Sequence, residues 1–144
     1  MKLAREVASI ASEAAHKAVS VGVAKAEEKG WRMNLAAVDR AGNLVAFLKI
    51  DDAPLHSTGL AIDKVYTAAS FGMSTRDWNK VLGASSQEVR GGIVTRDRLV
   101  VFGGGFPIKK DGVLLGAIGA SGGSEEHDEE CTRAALEAIG ADAV

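Results

Sequence analysis

Lys64 shares one helical face with Leu60, Thr67, Ala68 and Phe71, so a single positive charge sits within a stripe of apolar and hydroxyl side chains. An amine placed there is either ion-paired, with Asp39 or Asp128 as the acid, or grips the carboxylate or propionate of a ligand. The run Gly103-Gly104-Gly105 leaves backbone N–H groups unshielded, and Pro107 fixes φ directly afterwards. That corner either cradles an anionic or carbonyl oxygen or is a bulge at a sheet bend. Together with Thr67 and the turn at Ser121 and Gly122, these groups would line a pocket for a small acid or aldehyde. There Lys64 and the glycine amides would polarise an oxygen, and Asp39 or Asp128 would move a proton. A nucleotide loop is excluded, because no Gly-Lys-Ser/Thr follows and the glycines lead into a strand.

His16 projects opposite the apolar stripe of the first helix, beside Ser9, Ser12 and Ser20, so it is either solvated or placed at a subunit contact. His56 follows Pro54 in a loop. His127, Glu130 and Cys131 lie one helical turn apart, a spacing that suits metal ligands. Cys131 also falls in a stripe with Ala134, Ala135 and Ala138, which reads as core packing, and no metal is expected.

The elements that must position these groups follow from periodicity. Leu3, Val7, Ile10, Ala14, Ala18 and Val21 recur at helical steps and predict a helix from the start of the chain to about Lys29, stopped by Gly30. Met33 to Asp39 and Leu44 to Ile50 read as strands joined through Arg40-Ala41-Gly42-Asn43. A second helix runs from about Ser57 to Phe71 with Gly72 as its cap. Ser74 caps a short helix carrying Trp78, and Gly83 to Gly92 is loop with at most a turn of helix. Leu99 to Phe102, Phe106 to Lys109 and Val113 to Ala120 are three further strands. Ser124 starts a last helix with acids in its first turns. This order predicts an α+β fold with a five-stranded antiparallel sheet flanked by helices, in one domain spanning 1–144.

Composition narrows the partners. The net charge of −2 leaves no basic surplus for a phosphate backbone, so nucleic acid is not expected. The single cysteine excludes an internal disulfide, and the first residues mix charges with spaced apolar side chains rather than forming a membrane span. A cytoplasmic protein with no membrane partner is expected. Aromatic residues make up only 5% of the chain, which offers few rings to sandwich a large planar ligand deeply.

Three stretches taken together, Ala37-Val38-Asp39-Arg40-Ala41-Gly42-Asn43-Leu44-Val45-Ala46-Phe47, Ala61-Ile62-Asp63-Lys64-Val65-Tyr66-Thr67-Ala68-Ala69, and Gly103 to Ile108 with Gly116 to Gly123, resemble the GlcG/HbpS family, which includes the C-terminal domain of PduO-type proteins. The resemblance implies a profilin-like fold with α/β/α layers and assembly into homo-oligomers. It also implies haem or a related tetrapyrrole as ligand, with His16 or His56 on the iron, and a link to small-molecule catabolism. The Lys-x-x-Thr-Ala segment at Lys64 belongs to the resembling pattern, so a cofactorless enzyme acting on a small carbonyl or carboxylate substrate stands as the alternative.

Overall fold

The computed structural model describes residues 1–144 and contains one four-stranded antiparallel sheet in the order β2-β1-β4-β3, formed by β1 (Asn34–Asp39), β2 (Leu44–Lys49), β3 (Gly105–Lys110) and β4 (Val113–Ser121). Helices α1 (Ser12–Glu28) and α5 (Glu125–Ala138) cover one face, and α2 (Leu55–Phe71) covers the other. A 3₁₀ turn (Thr75–Asp77) and the short helices α3 (Trp78–Gly83) and α4 (Gln87–Ile93) fill the connection between α2 and β3.

The two-residue period of a strand decides which core each side chain enters. In β1, Leu35 and Ala37 join Ala18, Val19, Cys131 and Ala135 beneath α1 and α5, while Ala36 and Val38 join Ala61, Val65 and Ala68 beneath α2. Both faces of β1 and most of β4 are buried, which explains why their sequences run apolar without alternation. Alanine and glycine let the layers approach closely. A Cβ on Gly119 would lie 3.0 Å from Val65 Cγ1, and one on Gly22 would lie 2.1 Å from Leu35 Cδ2.

The fold departs from the sequence expectation in three places. The sheet has four strands instead of five, because Leu99 to Phe102 does not ladder onto it. Val100 instead donates its N–H to the Thr67 hydroxyl of α2 at 3.1 Å. Pro107, in edge strand β3, has no N–H to offer a fifth strand. The first helix starts at Ser12 rather than near Leu3. Ile10 donates its N–H to the Leu115 carbonyl at 2.8 Å, and the chain before it forms an arm without regular secondary structure, with Leu3 and Val7 exposed. The segment after Ser86 folds into the two-turn helix α4, with Ser86 accepting from the Val89 N–H. The caps at Gly72, Ser74 and Ser124 lie where the sequence puts them.

Cys131 of α5 is fully buried in the core between the helices α1 and α5 and the sheet, and desolvation, reinforced by the nearby Glu130 and Asp128 carboxylates, pushes its thiol up to about 12. Thiolate is therefore scarce at neutral pH. Iodoacetamide is expected to leave native protein unmodified over a period that labels urea-unfolded protein completely, as read by intact mass. Rapid native labelling would show that the α5 packing opens.

Candidate functional site

The end of the sheet where β3 begins and β4 ends gathers most of the residues singled out by chemistry. Lys64 comes from the middle of α2 and Asp128 from the first turn of α5, helices on opposite faces of the sheet. The lysine stem reaches the sheet end, where Gly104 and the Ala120 carbonyl lie against its ammonium. Lys64 Nζ donates to Asp128 Oδ2 at 2.8 Å and to the Ala120 carbonyl at 3.0 Å, and the Phe102 ring centroid lies 5.2 Å away. The two residues are 1% and 2% exposed, respectively. Burial pushes the Asp128 carboxyl up, and the Lys64 ammonium and Gly123 N–H pull against that shift.

Asp39 is not part of this centre. It closes the β1-β2 hairpin, opposite Gly116, whereas Lys64 bonds at Ala120, four residues along β4 or about 13 Å at the usual rise. Its carboxylate accepts from the Ala41 and Asn43 N–H groups, both at 2.9 Å, and from the Asn43 amide at 3.0 Å. Burial alone would raise its pKa, but the hydrogen bonds from Asn43, Ala41 and Gly42 together hold it below the usual value. The proton-moving pair expected around Lys64 therefore loses one of its two candidate acids to a turn.

The glycine loop does cradle an anion, and the anion belongs to the same chain. Gly103 donates its N–H to Glu125 Oε1, and Gly105 donates to the Thr75 hydroxyl at 3.0 Å. The Gly104 carbonyl accepts from Thr132 at 3.1 Å and from the Ala120 N–H at 3.0 Å. Beside the loop, Arg76 Nε bonds Glu129 Oε1 at 2.6 Å. Thr67 is also occupied, its hydroxyl lying 2.8 Å from both the Asp63 and Arg98 carbonyl oxygens while accepting from Val100. Pro107 lies in β3, and Gly122 has φ +136 with its α-carbon packed so closely that a Cβ would meet the Arg32 carbonyl at 2.6 Å. The stretch from Gly119 to Gly123 spells Gly-x-Ser-x-Gly, the frame of a nucleophile elbow. Ser121, however, is the last residue of β4, 3% exposed, with no histidine bonded to it. Glu125, Arg76, Thr75 and Thr132, which complete this network, carry no motif that marks them in the sequence; only the acids after Ser124 hint at Glu125.

The three histidines occupy different settings. His127 stacks on Trp31 with ring centroids 3.9 Å apart. No three side chains among His, Cys, Asp and Glu gather as metal ligands, so His127, Glu130 and Cys131 form no such cluster. His56 is exposed in the first turn of α2. His16 is exposed on α1 and adjoins an open groove of about 350 Å³ lined by Val19, Ser20, Val45, Ala46, Phe47 and Leu48. Its Nε2 lies 3.3 Å from the Val45 carbonyl, which orients the ring and leaves the other nitrogen uncommitted.

The architecture defines an antiparallel α+β protein with α/β/α layers, tied across one end of its sheet by a buried ion pair and carrying an accessible imidazole beside an apolar groove at one edge. The chain belongs to the HbpS-like family: the family model described as haem degrading protein HbpS-like matches residues 10–137. A 15.0 kDa protein from the dhaT-dhaS intergenic region of Citrobacter freundii is 32% identical over 139 residues, covering 95% of this chain and 96% of that protein. The corrinoid adenosyltransferase PduO of the same organism is 30% identical over 133 residues, covering 91% of this chain and 39% of PduO. The chain thus spans about two-fifths of PduO. The crystal structure of a PduOC:heme complex superposes with a TM-score of 0.84 at 28% identity, covering 93% of this chain and 97% of that one. No helix is long and apolar enough to cross a membrane.

Proposed function

We propose that the protein binds haem or a related tetrapyrrole, with His16 as the axial ligand. The observation that carries this reading is the placement of His16 at the rim of the groove between α1 and the sheet-edge strand β2. Iron coordination needs an unprotonated ring nitrogen in reach of solvent, and a porphyrin needs apolar surface beside it. His16 has both, since Val45 takes one nitrogen and Phe47 and Leu48 extend the groove. His56 is exposed without such a lining, and the ring of His127 is covered by Trp31. The family description and the haem-bound PduOC relative support the same ligand class.

An open groove covers one face of a porphyrin, so the second face is left to solvent or to another copy of the chain. Exposed Leu44 and Leu48 on β2 favour the second arrangement, a homo-oligomer in which β2 edges approach one another. The alternative of a cofactorless enzyme centred on Lys64 draws no support from the geometry. The Lys64 ammonium is enclosed and bonded to Asp128 and Ala120, and the neighbouring amides of Gly103 and Gly105 serve Glu125 and Thr75.

Titration of the purified protein with haemin, followed by absorbance, tests the assignment. Saturation near one haem per chain is expected, with the Soret band shifted or weakened in His16→Ala and unchanged in His56→Ala. An unsaturable band, or one indifferent to His16→Ala, would remove His16 and the groove from the function.

A further inference from the structure

An open cleft of about 560 Å³ lies away from both the ion pair and the His16 groove, between the N-terminal arm, the β1-β2 hairpin and α2. Its lining is rich in donors. Arg5 comes from the arm, Arg40 from the hairpin, and Tyr66 and Ser70 from α2. Neither Arg5 nor Arg40 takes part in any ion pair of the chain, so both guanidinium groups are unpaired. The Tyr66 and Ser70 hydroxyls likewise make no hydrogen bond within the protein. Asp39 also borders the cavity, but its oxygens are engaged by Ala41 and Asn43.

Tyr66 is held in place from two sides. The Arg98 guanidinium lies 3.6 Å from its ring centroid and is itself paired with Asp63 at 3.2 Å. Gly42, with φ +87, sits so near that a Cβ would lie 3.2 Å from the ring carbons Cδ2 and Cε2. A fixed phenol with a free hydroxyl, two unpaired guanidinium groups and a serine hydroxyl make a cavity with unused donors and no free acceptor of comparable strength.

We propose that this cavity is a binding site for a small organic monocarboxylate with a hydrocarbon or aromatic body, held by Arg5 and Arg40 and by the Tyr66 hydroxyl. Arginine presents paired N–H donors that match a carboxylate. Two cations against the ionised Asp39 leave a single net positive charge, which suits a monoanion better than a phosphate dianion. The volume falls within the range of roughly 300 to 1,000 Å³ usual for small-molecule sites, more than a bare anion fills. Val7 and the Tyr66 ring provide apolar surface for the rest of the ligand.

Calorimetric titration with benzoate and with phenyl phosphate tests the site, using the wild-type chain, Arg40→Gln, the Arg5→Gln/Arg40→Gln double variant and His16→Ala. Saturable benzoate binding is expected, weakened about tenfold or more in Arg40→Gln and further in the double variant. His16→Ala should bind benzoate as wild type does, which separates this site from the haem groove. Because Arg5 lies on the arm, saturating benzoate should also slow tryptic cleavage after Arg5 in the wild-type chain. Saturation by phenyl phosphate with none by benzoate would overturn the carboxylate assignment. Failure of both to saturate, or an affinity unchanged in the double variant, would overturn the site.

Discussion

Asp128→Ala is expected to destabilise the protein by about 3–5 kcal/mol, because it strands the Lys64 ammonium in a site where that side chain is 1% exposed. The Ala120 carbonyl, 3.0 Å from Nζ, would be the one hydrogen-bond acceptor left to it. The loss reaches beyond one contact. Lys64 belongs to α2 and Asp128 to α5, so the pair ties together the two helical layers that sandwich the sheet. Urea unfolding monitored by circular dichroism measures the effect. Lys64→Met/Asp128→Leu removes both charges, and with them the desolvation cost, so it should recover at least about half of the loss. A cost below about 1 kcal/mol for Asp128→Ala would mean that Lys64 finds another partner or water, and that its enclosure is not what the ion pair maintains.

Gly104→Ala should be nearly as damaging, at about 2–5 kcal/mol, for two separate reasons. Gly104 has φ +126, a conformation that L side chains rarely adopt, and an added Cβ would lie 2.6 Å from Lys64 Nζ and 2.8 Å from the Ala120 carbonyl oxygen. The backbone oxygen cannot swing aside as the end of a side chain can. Gly103→Ala provides the contrast. Its φ is not positive, and its added Cβ would meet Glu129 Oε1 at 2.5 Å, the end of a side chain that can turn aside at the cost of its contact with Arg76. A loss of no more than about 1.5 kcal/mol is expected there. Thermal unfolding of the two variants side by side reads the difference; equal losses would show that the loop relaxes as a unit and that the approach of Gly104 to Lys64 is not limiting.

These expectations bear on how the glycine run is to be understood. In the sequence, three consecutive glycines before Pro107 mark a place where backbone must come close to something, and an external anion and a sheet bend are equally good candidates. In the fold that something is the chain itself: Glu125 fills the amide of Gly103, Thr75 that of Gly105, and the Lys64 ammonium crowds Gly104. Glu125 lies 22 residues from Gly103 and Thr75 lies 30 from Gly105. Local patterning carries no information about such meetings.

The sequence by itself determined the α+β class, the β1-β2 hairpin, the caps at Gly72, Ser74 and Ser124, the core position of Cys131 and the family resemblance, because each rests on neighbours within one or two turns or on an ordered series of motifs. It also narrowed the acid partner of Lys64 to two residues. Tertiary structure alone decided between them, since Asp128 is brought to Lys64 across the sheet end while Asp39 is spent on its own turn. The helical spacing of Leu3, Val7 and Ile10 likewise gave way to the hydrogen bonds from the Ile10 N–H to Leu115 and from the Arg40 N–H to the Ser9 hydroxyl, and Leu99 to Phe102, extended in pattern, found Thr67 instead of a sheet edge. Periodicity reports which face a side chain would occupy if the element formed. Whether a distant carbonyl, hydroxyl or carboxylate claims the backbone first depends on contacts between residues far apart in the chain, and those exist only once the layers have packed.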